Sequence, residues 1–515
     1  MPDKTEVLVV GAGPSGLVLA LWLTRQGVRV RIIDQSEIIP STSRALAIHA
    51  RTVELYRQLD LADTLLESGF SMRHTNVWSE GVHRSRIAIG DGGKDLTPYP
   101  FIHVCSQDRH EKLLEEKLNA MGVDVERRRE LVDCRPHESG VTARWKVLDS
   151  DEDKEEVIEA AFVAGCDGSH STVRHSCGID FAGEMYKQQF FVADIKGSGP
   201  TINGEANLAI CQSEITLTFP FDNGHSIRLT GAVDDEAMAK QEKAELTLDD
   251  VAGRTIQTMN LQVEQLNWLT VYRIHHRVAE VFRKGRVFLV GDAAHIHSPV
   301  GGQGMNTGIG DAINLAWKLA TVLRGHATMA FLDSYQAERQ AFAQTLVQTT
   351  DRSFNAIAAK SYLSGFVRSW FVPYIVPILA RLHMVRSRAF SGMSQILLNY
   401  RDGPLSAGFS AGSVQGGDRV PWAPVDGCDN HDSLSEVTWQ VHVYGSNASD
   451  ALADWCRATH IPLHVFPWHP KYQDVGLAQD AAYLIRPDSY IAVAELNSPG
   501  FEGYFKSVGI NINTL

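Results

Sequence analysis

The chain has 515 residues, of which 44% are hydrophobic and 21% charged; this is ordinary for a soluble globular protein and too long for one hydrophobic core. Its formal net charge of −13 argues against a nucleic-acid partner, which would require a basic surface. Seven scattered cysteines without a C-x-x-C pair, and a first segment without a secretory signal, predict a cytoplasmic protein with reduced thiols.

A β-α-β unit is predicted at the start of the chain. The apolar run EVLVV predicts a buried strand, LVLALWLTRQG predicts a helix that ends at Gly27, and VRVRIID predicts a second strand ending at Asp34. A G-x-G-x-x-G loop opens the helix, and it consists of Gly11, Gly13, Pro14, Ser15 and Gly16. The glycines allow a tight turn and a close approach of the backbone to a pyrophosphate, and Asp34 can accept from ribose hydroxyls. The unit therefore predicts a dinucleotide site, which by itself fits FAD and NAD equally.

The following stretches alternate between helical and extended patterns. ARTVELYRQLD, near 50–60, carries apolar residues at helical spacing. Alternating β-formers in 190–235 and 264–282 predict an antiparallel sheet inserted into the nucleotide-binding domain. RVFLVGD at 286–292 predicts a return to the parallel sheet, and a long helical region is expected from about 306 to 400.

The stretch RVFLVGDAAHIHSPVGGQGMN at 286–306 decides between the two cofactors. Asp292 is expected to end a buried strand and to bind the ribityl hydroxyls of a flavin. Glycines remove side chains from a loop that can lie against the flavin ring, and the positive end of the next helix favours the anionic reduced flavin. The predicted FAD-binding residues here are Asp292, Gly302, Gly304, Met305 and Asn306. His295 and His297 lack an accompanying carboxylate or thiol cluster, so we predict no metal site.

An apolar stretch at 362–384 tests the soluble interpretation because it is nearly long enough to cross a bilayer. Arg368 and Arg381 lie inside it, and Pro373 and Pro377 would break a spanning helix. We therefore predict a broken helical hairpin packed on the protein and no integral membrane segment. A peripheral membrane contact stays open as the alternative.

A third unit follows the turn-rich sequence RDGPLSAGFSAGSVQGGDRVP. VTWQVHVYG, PLHVFPW, AAYLIRP and YIAVAE predict strands, and ASDALADWCRATH predicts a helix. These elements predict a small α/β domain of about a hundred residues. Cys456 stands alone in its helix, so a redox role of this unit is not expected.

Three stretches of the chain, GAGPSG, AGCDGSHSTVRHSCGI and RVFLVGDAAHIHSPVGGQGMNTGIGDAINLAWKLA, resemble the signatures of single-component FAD-dependent aromatic hydroxylases. That group includes phenol hydroxylase and the 3-(3-hydroxyphenyl)propionate and pentachlorophenol monooxygenases. GGDRVP and AAYLIRPDSYIAVAE also resemble the thioredoxin-like C-terminal domain of a subgroup. The implied fold is α/β: a doubly wound FAD-binding domain with a helical extension (1–74, 100–183 and 286–400), an inserted antiparallel substrate-binding sheet (75–99 and 184–285) and a thioredoxin-like domain (401–515).

The resemblance also implies roles for residues that the motifs alone do not explain. The Asp-Gly stretch is associated with FAD and with NAD(P)H, Arg44 with the FAD phosphates, Gln107 with the ribityl chain, and Pro299 with the edge of the flavin ring. The residues of the Asp-Gly stretch are Asp167, Gly168 and Arg174. Two alternatives stay open, namely that Arg44 is a surface arginine and that Asp167 only forms a turn.

The activity implied by the resemblance is hydroxylation of a small aromatic, phenolic or polyketide-like substrate with O2 and NADPH or NADH through a C4a-hydroperoxyflavin. Such an electrophilic oxygen needs an electron-rich ring and a pocket that excludes water. Tyr272 and His275 in VYRIHHRVAE are the candidate substrate contacts, although sheet packing would explain either one. Epoxidation, Baeyer–Villiger insertion, an FAD-dependent dehydrogenase and a flavoprotein that only binds partners stay open, as does a homodimer.

Overall fold

The computed structural model has a mixed α/β fold and describes residues 3–40, 45–148, 154–211, 214–221, 226–233, 245–298, 301–358, 367–408, 412–496 and 500–512. Arg44 and Pro299, two of the predicted site residues, lie outside these ranges.

A sheet of eight strands contains the predicted β-α-β unit. The first strand, Asp3–Val10, pairs in parallel with Val30–Ile33 on one side and with Glu155–Gly165 on the other, and Val287–Leu289 follows in parallel. Both faces of the second half of the first strand are covered, which explains why Val7–Val10 are all apolar, whereas the first half, from Asp3 to Glu6, is largely polar. The other strands of the sheet are Val125–Glu126, Arg129–Pro136, Val141–Val147 and Arg283–Lys284.

A second sheet, also of eight strands, is almost entirely antiparallel. One face packs against the helix Leu248–Thr258 through side chains such as Phe191 and Leu229. The opposite face contacts the first part of the chain, where Ala206 and Phe219 pack with Leu46. In spatial order the strands are His295–Ile296, Gln262–Ala279, Phe181–Ser198, Ser226–Ala232, Glu214–Phe221, Ala206–Cys211, Thr75–Ser79 and Val82–Ile87.

A three-stranded sheet and several helices complete the first two thirds of the chain. The sheet consists of Ala47–Ile48, Ile102–Val104 and Phe70–Met72. In the described ranges up to residue 323 the α-helices are Pro14–Arg25, Ala50–Arg57, Ala62–Glu67, Gln107–Ala120, Thr172–Ser176, Leu248–Thr258 and Gly304–Leu323.

The helical region predicted from about 306 to 400 is divided into several pieces. Its described parts are Gly304–Leu323, Asp333–Ala358, the π-helix Val367–Ile375, Val376–Leu379 and His383–Met393. Pro373 lies inside the π-helix and Pro377 near the start of the next helix, where each lacks a backbone donor. The prediction of a broken helix is therefore confirmed for its described part, and no helix in the described ranges is both long and apolar enough to cross a bilayer.

The C-terminal unit is built on a five-stranded sheet. Its core includes Trp439, Leu484 and Phe505, and Trp317 of the preceding helical region packs into the same cluster. The strands in spatial order are Ala407–Gly408, Ile491–Leu496, Ala481–Ile485, Gln440–Tyr444 and Leu463–Phe466, and the helices are Asp450–Thr459, Pro470–Asp474 and Phe501–Ser507.

Candidate cofactor site

The three glycines of the first loop occupy different surroundings. Gly11 has φ of +99°, and a Cβ there would lie 2.4 Å from the carbonyl oxygen of Cys166. A Cβ on Gly16 would lie 1.9 Å from the carbonyl oxygen of Gly11, so this position allows the helix to pack against the strand. A Cβ on Gly13 would have no described atom within 4 Å. Gly13 therefore faces open space into which a phosphate group can approach.

The helix Pro14–Arg25 begins at this open space. Gly13 is its N-cap, no side chain of the described residues caps it, and Pro14 occupies the first turn. The first N–H groups of a helix have no partners inside it, and the helix dipole adds positive charge there. Together with the space beside Gly13, this terminus fits the pyrophosphate of a dinucleotide.

Asp34 holds the glycine loop against the second strand. The Asp34 Oδ2 atom accepts a hydrogen bond from the backbone N–H of Ala12 at 2.7 Å, and Oδ1 accepts from the N–H of Ser36 at 2.7 Å. The Arg127 guanidinium lies 3.8 Å from Oδ1. A carboxylate has about four lone-pair sites, so Asp34 retains capacity for ribose hydroxyls while it fixes the loop.

The turn at Gly291 and the helix Gly304–Leu323 both meet the start of the first helix at the Ser15 side chain. A Cβ on Gly291 would lie 2.7 Å from Ser15 Oγ, and a Cβ on Gly308 would lie 2.4 Å from the same atom. Only glycine at both positions lets the start of the first helix pack this closely. The start of the first helix, where the phosphate site is predicted, therefore lies beside the turn and the helix that flank the predicted flavin loop.

Asp292 lies on an exposed turn between two buried residues, Gly291 and Ala293. The preceding strand ends at Leu289, three residues before Asp292, so the prediction that Asp292 itself ends the strand was wrong. The positive φ of +62° at Gly291 reverses the chain and presents the carboxylate at the surface. An exposed carboxylate beside the Ser15 contact fits the hydroxyl groups of a flavin side chain.

Asp311, which the sequence did not single out, fixes this turn. It is fully buried and accepts from the Gly291 N–H at 3.1 Å, His295 Nε2 at 2.7 Å and Arg339 Nε at 2.6 Å. Burial alone would raise the pKa of Asp311, but the charges of Arg339 and His295 outweigh it and lower the pKa. An acidic residue within the apolar run GIGDAINLAWKL was the available signal.

The loop from Gly301 to Asn306 is bent by two glycines with positive φ, +80° at Gly301 and +63° at Gly302. A Cβ on Gly302 would lie 2.9 Å from the Cβ of Ala47. Gly304 begins the helix that follows, and the partly buried Met305 packs against the main core. This geometry keeps the predicted loop residues close to the first part of the chain.

The Asn306 side chain forms hydrogen bonds that hold the loop in place. Its amide nitrogen donates to the carbonyl oxygens of Ala47 and Gly302, each at 2.9 Å. Its oxygen accepts from the His49 N–H at 2.9 Å and from Thr52 Oγ1 at 2.8 Å. These bonds use the hydrogen-bonding capacity of the amide, so the side chain positions the loop, and direct contact with a cofactor falls to the backbone.

The Asp-Gly stretch lies next to the Asp292 turn. Asp167 Oδ2 accepts from the Val173 N–H at 3.0 Å, whereas Oδ1 is buried without a partner among the described residues. Burial raises the pKa of Asp167, although hydrogen bonds from Ser171 and nearby amides oppose it. Gly168 has φ of +75°, which also fits the simple turn that the sequence left open.

Arg174 connects the Asp-Gly stretch to the Asp292 turn. The Arg174 side chain donates to the carbonyl oxygens of Ser169 and Ala293, each at 3.0 Å. Its guanidinium also lies over the Phe181 ring, 4.1 Å from the centroid. Because both terminal nitrogens bond to backbone, the structure gives Arg174 a positioning role between two predicted cofactor loops.

Gln107 begins the helix Gln107–Ala120 and donates to Glu111 Oε1 at 2.7 Å. Glu111 is buried, and this burial raises its pKa to about 7 despite the nearby Gln107 and Arg127. Asp34 is close enough to raise the pKa of Glu111 further. The sequence did not identify Glu111, since only the fold brings residues 34, 107 and 127 around it.

The two predicted substrate contacts lie in different surroundings. The Tyr272 ring lies 6.4 Å from the Phe190 ring on the neighbouring strand. His275 is on the opposite face of its strand by alternation, and it lies near Arg277 and near His170 of the Asp-Gly stretch. Burial is the main cause that lowers the pKa of His275, and these charges lower it further. The structure does not bring Tyr272 and His275 together.

A buried ion pair lies on the same face of the sheet as Tyr272. Its two residues are 34 positions apart, so no local sequence pattern predicts it. Arg228 donates from Nε and Nη2 to the two oxygens of Asp194, each at 2.7 Å. The Arg228 guanidinium also lies 5.5 Å from the centroid of Trp268. The pair joins two adjacent strands across this face of the sheet.

Comparisons with known proteins agree with the geometry. A family model described as "FAD binding domain" matches residues 4–350. The chain is 33% identical over 513 residues to the 6-methylpretetramide 4-monooxygenase of Streptomyces rimosus, with 95% of this chain and 90% of that relative covered. It is 31% identical over 426 residues to the pentachlorophenol 4-monooxygenase of Sphingobium chlorophenolicum, with coverage of 81% and 75%.

A solved structure resembles this fold over nearly its whole length. The OxyS anhydrotetracycline hydroxylase from Streptomyces rimosus superimposes with a TM-score of 0.77 at 25% identity, and 99% of each chain is covered. The family match and the sequence relatives confirm the resemblance of the three motifs to FAD-dependent aromatic hydroxylases. The chain belongs to the FAD binding domain family, within the FAD-dependent aromatic hydroxylases.

Proposed function

We propose that this protein hydroxylates a polycyclic phenolic substrate of the polyketide type, using FAD, O2 and NADPH or NADH. The observation that carries the proposal is the contact of Ser15 with Gly291 and Gly308, which brings the two predicted FAD-binding stretches side by side. The substrate class is supported by the relatives named for 6-methylpretetramide and anhydrotetracycline, whose alignments cover 95% and 99% of this chain.

Different residues would bind the different parts of FAD. The N–H groups at the start of the helix Pro14–Arg25 would bind the pyrophosphate, Asp34 the adenosine ribose and Asp292 the ribityl hydroxyls. Asp311 and Arg174 would keep the Asp292 turn in place from either side. When bound, FAD supplies the transfer of electrons from the reduced nicotinamide to O2 and of one oxygen atom to the substrate.

Tyr272 is the stronger candidate for a substrate contact. It lies beside Phe190 on the face of the sheet that is turned towards the first part of the chain, and an aromatic wall there would bind a planar ring system and exclude water. A phenolic hydroxyl of the substrate could bond to the Tyr272 hydroxyl. His275 faces the Asp-Gly stretch, so a direct role on the substrate is the weaker proposal.

The division of labour among the units is part of the same proposal. The parallel sheet with its helices would bind FAD, and the inserted antiparallel sheet would cover the substrate. The five-stranded unit after residue 400 would be thioredoxin-like and structural, since Cys456 is buried and this burial raises its pKa to about 11. We place the protein in the cytoplasm.

The test is a substrate-dependent oxidation assay on the FAD-loaded protein with a panel of mono- and polycyclic phenols. We expect polycyclic phenols to stimulate oxidation of NADPH or NADH, and one atom of labelled O2 to enter the ring of the product. A product without label would overturn oxygenation in favour of a dehydrogenase. Insertion beside a ketone would instead identify a Baeyer–Villiger enzyme, and an epoxide would overturn hydroxylation.

A further inference from the structure

The segment from Val367 to Met393 carries an apolar face that points outward. Large apolar side chains recur here at steps of one and three residues through the π-helix Val367–Ile375, the helix Val376–Leu379 and the turn before His383, and they are exposed. In an ordinary surface helix such large apolar side chains pack against the core. The exposed residues here are Phe371 (40% exposed), Tyr374 (40%), Ile375 (41%), Ile378 (58%), Leu379 (40%) and Leu382 (55%), and we call them the outward stripe.

Neighbouring residues enlarge the apolar surface. Met384, which directly follows the stripe, is 76% exposed, and Val82 of the adjacent edge strand is 49% exposed. The Arg84 guanidinium of that strand lies 5.3 Å from the centroid of the Tyr374 ring. Single exposed apolar residues are common, but a contiguous set of this kind marks a surface that binds something.

The segment that carries the outward stripe is positively charged, although the protein as a whole is acidic. The sequence from Arg352 to Arg401 contains seven Arg and Lys residues and no Asp or Glu, whereas the whole chain has a net charge of −13. Arg381 and Arg388 are exposed and form no ion pair with any other described residue, and Arg386 lies 3.7 Å from Asp91. A partner for this surface should therefore combine an apolar layer with negative charge.

We propose that the outward stripe docks this protein on the surface of a bilayer that contains anionic lipids. Apolar side chains of an interfacial helix enter the boundary between headgroups and acyl chains, and arginines beside them pair with the lipid phosphates. Tyrosine is favoured at the same depth because it has an apolar body and a polar tip. The contact is peripheral, since no described helix can span the membrane.

A second copy of this chain fits the surface less well. A two-fold contact places the same patch on both partners, so each copy would bring its own Arg381 and Arg388 against a partner segment, 352–401, that contains no Asp or Glu. Like charges would then be buried together, which opposes association. An anionic lipid surface removes that repulsion.

Sedimentation with lipid vesicles tests the proposal on the full-length, FAD-loaded protein. We expect binding to vesicles of phosphatidylglycerol and phosphatidylcholine, little binding to pure phosphatidylcholine, and loss of binding at high salt. The double variant Ile378→Glu, Leu382→Glu should bind at least tenfold less. The variant Arg381→Glu, Arg388→Glu should lose about fivefold for each arginine with the anionic vesicles.

Leu148→Glu is the matched control, because Leu148 is 47% exposed and lies in another part of the chain. It should bind vesicles as the wild type does, and all variants should keep their flavin absorbance and their melting temperature. Equal binding by the stripe variants and the wild type would overturn the proposal, as would a wild type that ignores anionic vesicles. A dimer that disappears in the Ile378→Glu, Leu382→Glu variant would assign the stripe to self-association. Flavin content and vesicle binding are read separately from turnover, so they do not depend on the proposed activity.

Discussion

At the residue scale, Gly13 is the glycine of its loop at which a substitution can change cofactor binding without disturbing the fold. Any side chain at Gly11 or Gly16 would collide with backbone carbonyls at 2.4 and 1.9 Å and disturb the fold itself. At Gly13 the space is open, so a methyl group there competes only with what enters that space.

Gly13→Ala should therefore weaken FAD binding without lowering the melting temperature of the apoprotein. Loss of one hydrogen bond to a charged phosphate costs about 1.5–3 kcal/mol, which is roughly a ten- to hundredfold rise in Kd. Titration of the apoprotein with FAD, followed by flavin fluorescence, measures the effect. Gly503→Ala is the control, since a Cβ at this helical glycine also meets no described atom within 4 Å. Unchanged FAD affinity in Gly13→Ala would refute this role.

The raised pKa of Glu111, near the predicted cofactor loop, predicts that the free energy of unfolding depends on pH. Its pKa is raised by burial to about 7 in the folded protein, against 4.5 as the ordinary value. The folded state then holds a proton that the unfolded chain releases, so this residue makes stability fall as pH rises from about 4.5 to 7. The size of the effect is on the order of 3 kcal/mol.

Glu111→Gln should remove this dependence and raise the melting temperature of the apoprotein at pH 8 relative to the wild type. Thermal unfolding at a series of pH values between 5 and 8 measures it. Glu116→Gln, an exposed position on the same helix, should leave the curve unchanged. Parallel curves for the wild type and Glu111→Gln would mean that Glu111 is ionised throughout this range.

At the element scale, the turn Gly291–Ala293 depends on a residue of the next helix. Asp311→Asn would leave the buried Arg339 without its carboxylate and weaken the bonds to Gly291 and His295. Breaking a buried ion pair costs about 3–5 kcal/mol. We expect a lower melting temperature and weaker FAD binding, measured by calorimetry and by fluorescence titration.

Asp333→Asn gives the comparison within the same region of the chain. Asp333 pairs with Arg283 at 2.5 Å but is 75% exposed, so its loss should cost at most about 1 kcal/mol and leave FAD binding intact. If Asp311→Asn behaved like Asp333→Asn, the turn would be held by its backbone alone.

The elements and residues that the sequence could predict are those whose signal is local. Glycine spacing, apolar periodicity and an acidic residue after a strand predicted both glycine-rich loops and their flanking strands. Pro373 and Pro377 predicted the broken helix at 367–379. Asp311, Glu111 and the pair Arg228–Asp194 were missed because their partners lie elsewhere in the chain. Asn306 was predicted to bind the cofactor, and only the fold shows that Ala47 and His49 bond to its side-chain amide.

At the scale of the whole molecule, buried charges join the C-terminal unit to the helical region. Arg486 donates to both oxygens of Glu338, at 2.7 and 2.9 Å, and to Asp488 at 2.7 Å. Lys318 also donates to Glu338, at 2.8 Å, and Trp317 donates to Asp488 at 3.1 Å. All of these side chains are buried, so the bonds between them hold the C-terminal unit against the helical region without competition from water.

Glu338→Gln should loosen this junction. Burial alone would raise the pKa of Glu338, but Arg486 and Lys318 outweigh it and lower the pKa to about 2. The pair therefore contributes stability above pH 4.5 and loses it as pH falls towards 2. At pH 7 we expect the variant to lose about 3–5 kcal/mol, with faster proteolysis near residues 400–420.

Melting curves at pH 7 and at acidic pH check this, because the gap between the wild type and Glu338→Gln should narrow as the pH falls below 4.5. Glu436→Gln serves as the control, since Glu436 is 40% exposed in its pair with His464. A gap that stays constant with pH would show that Glu338 is not the group that titrates.

The contact of Ser15 with Gly291 and Gly308 also orders events during synthesis. A ribosome makes the phosphate-binding loop first, but the turn and helix that complete the pocket leave the exit tunnel almost three hundred residues later. A nascent chain halted before that point holds only half of the binding surface. Flavin loading is therefore a late event of maturation, and shortened translation products should accumulate as colourless apoprotein.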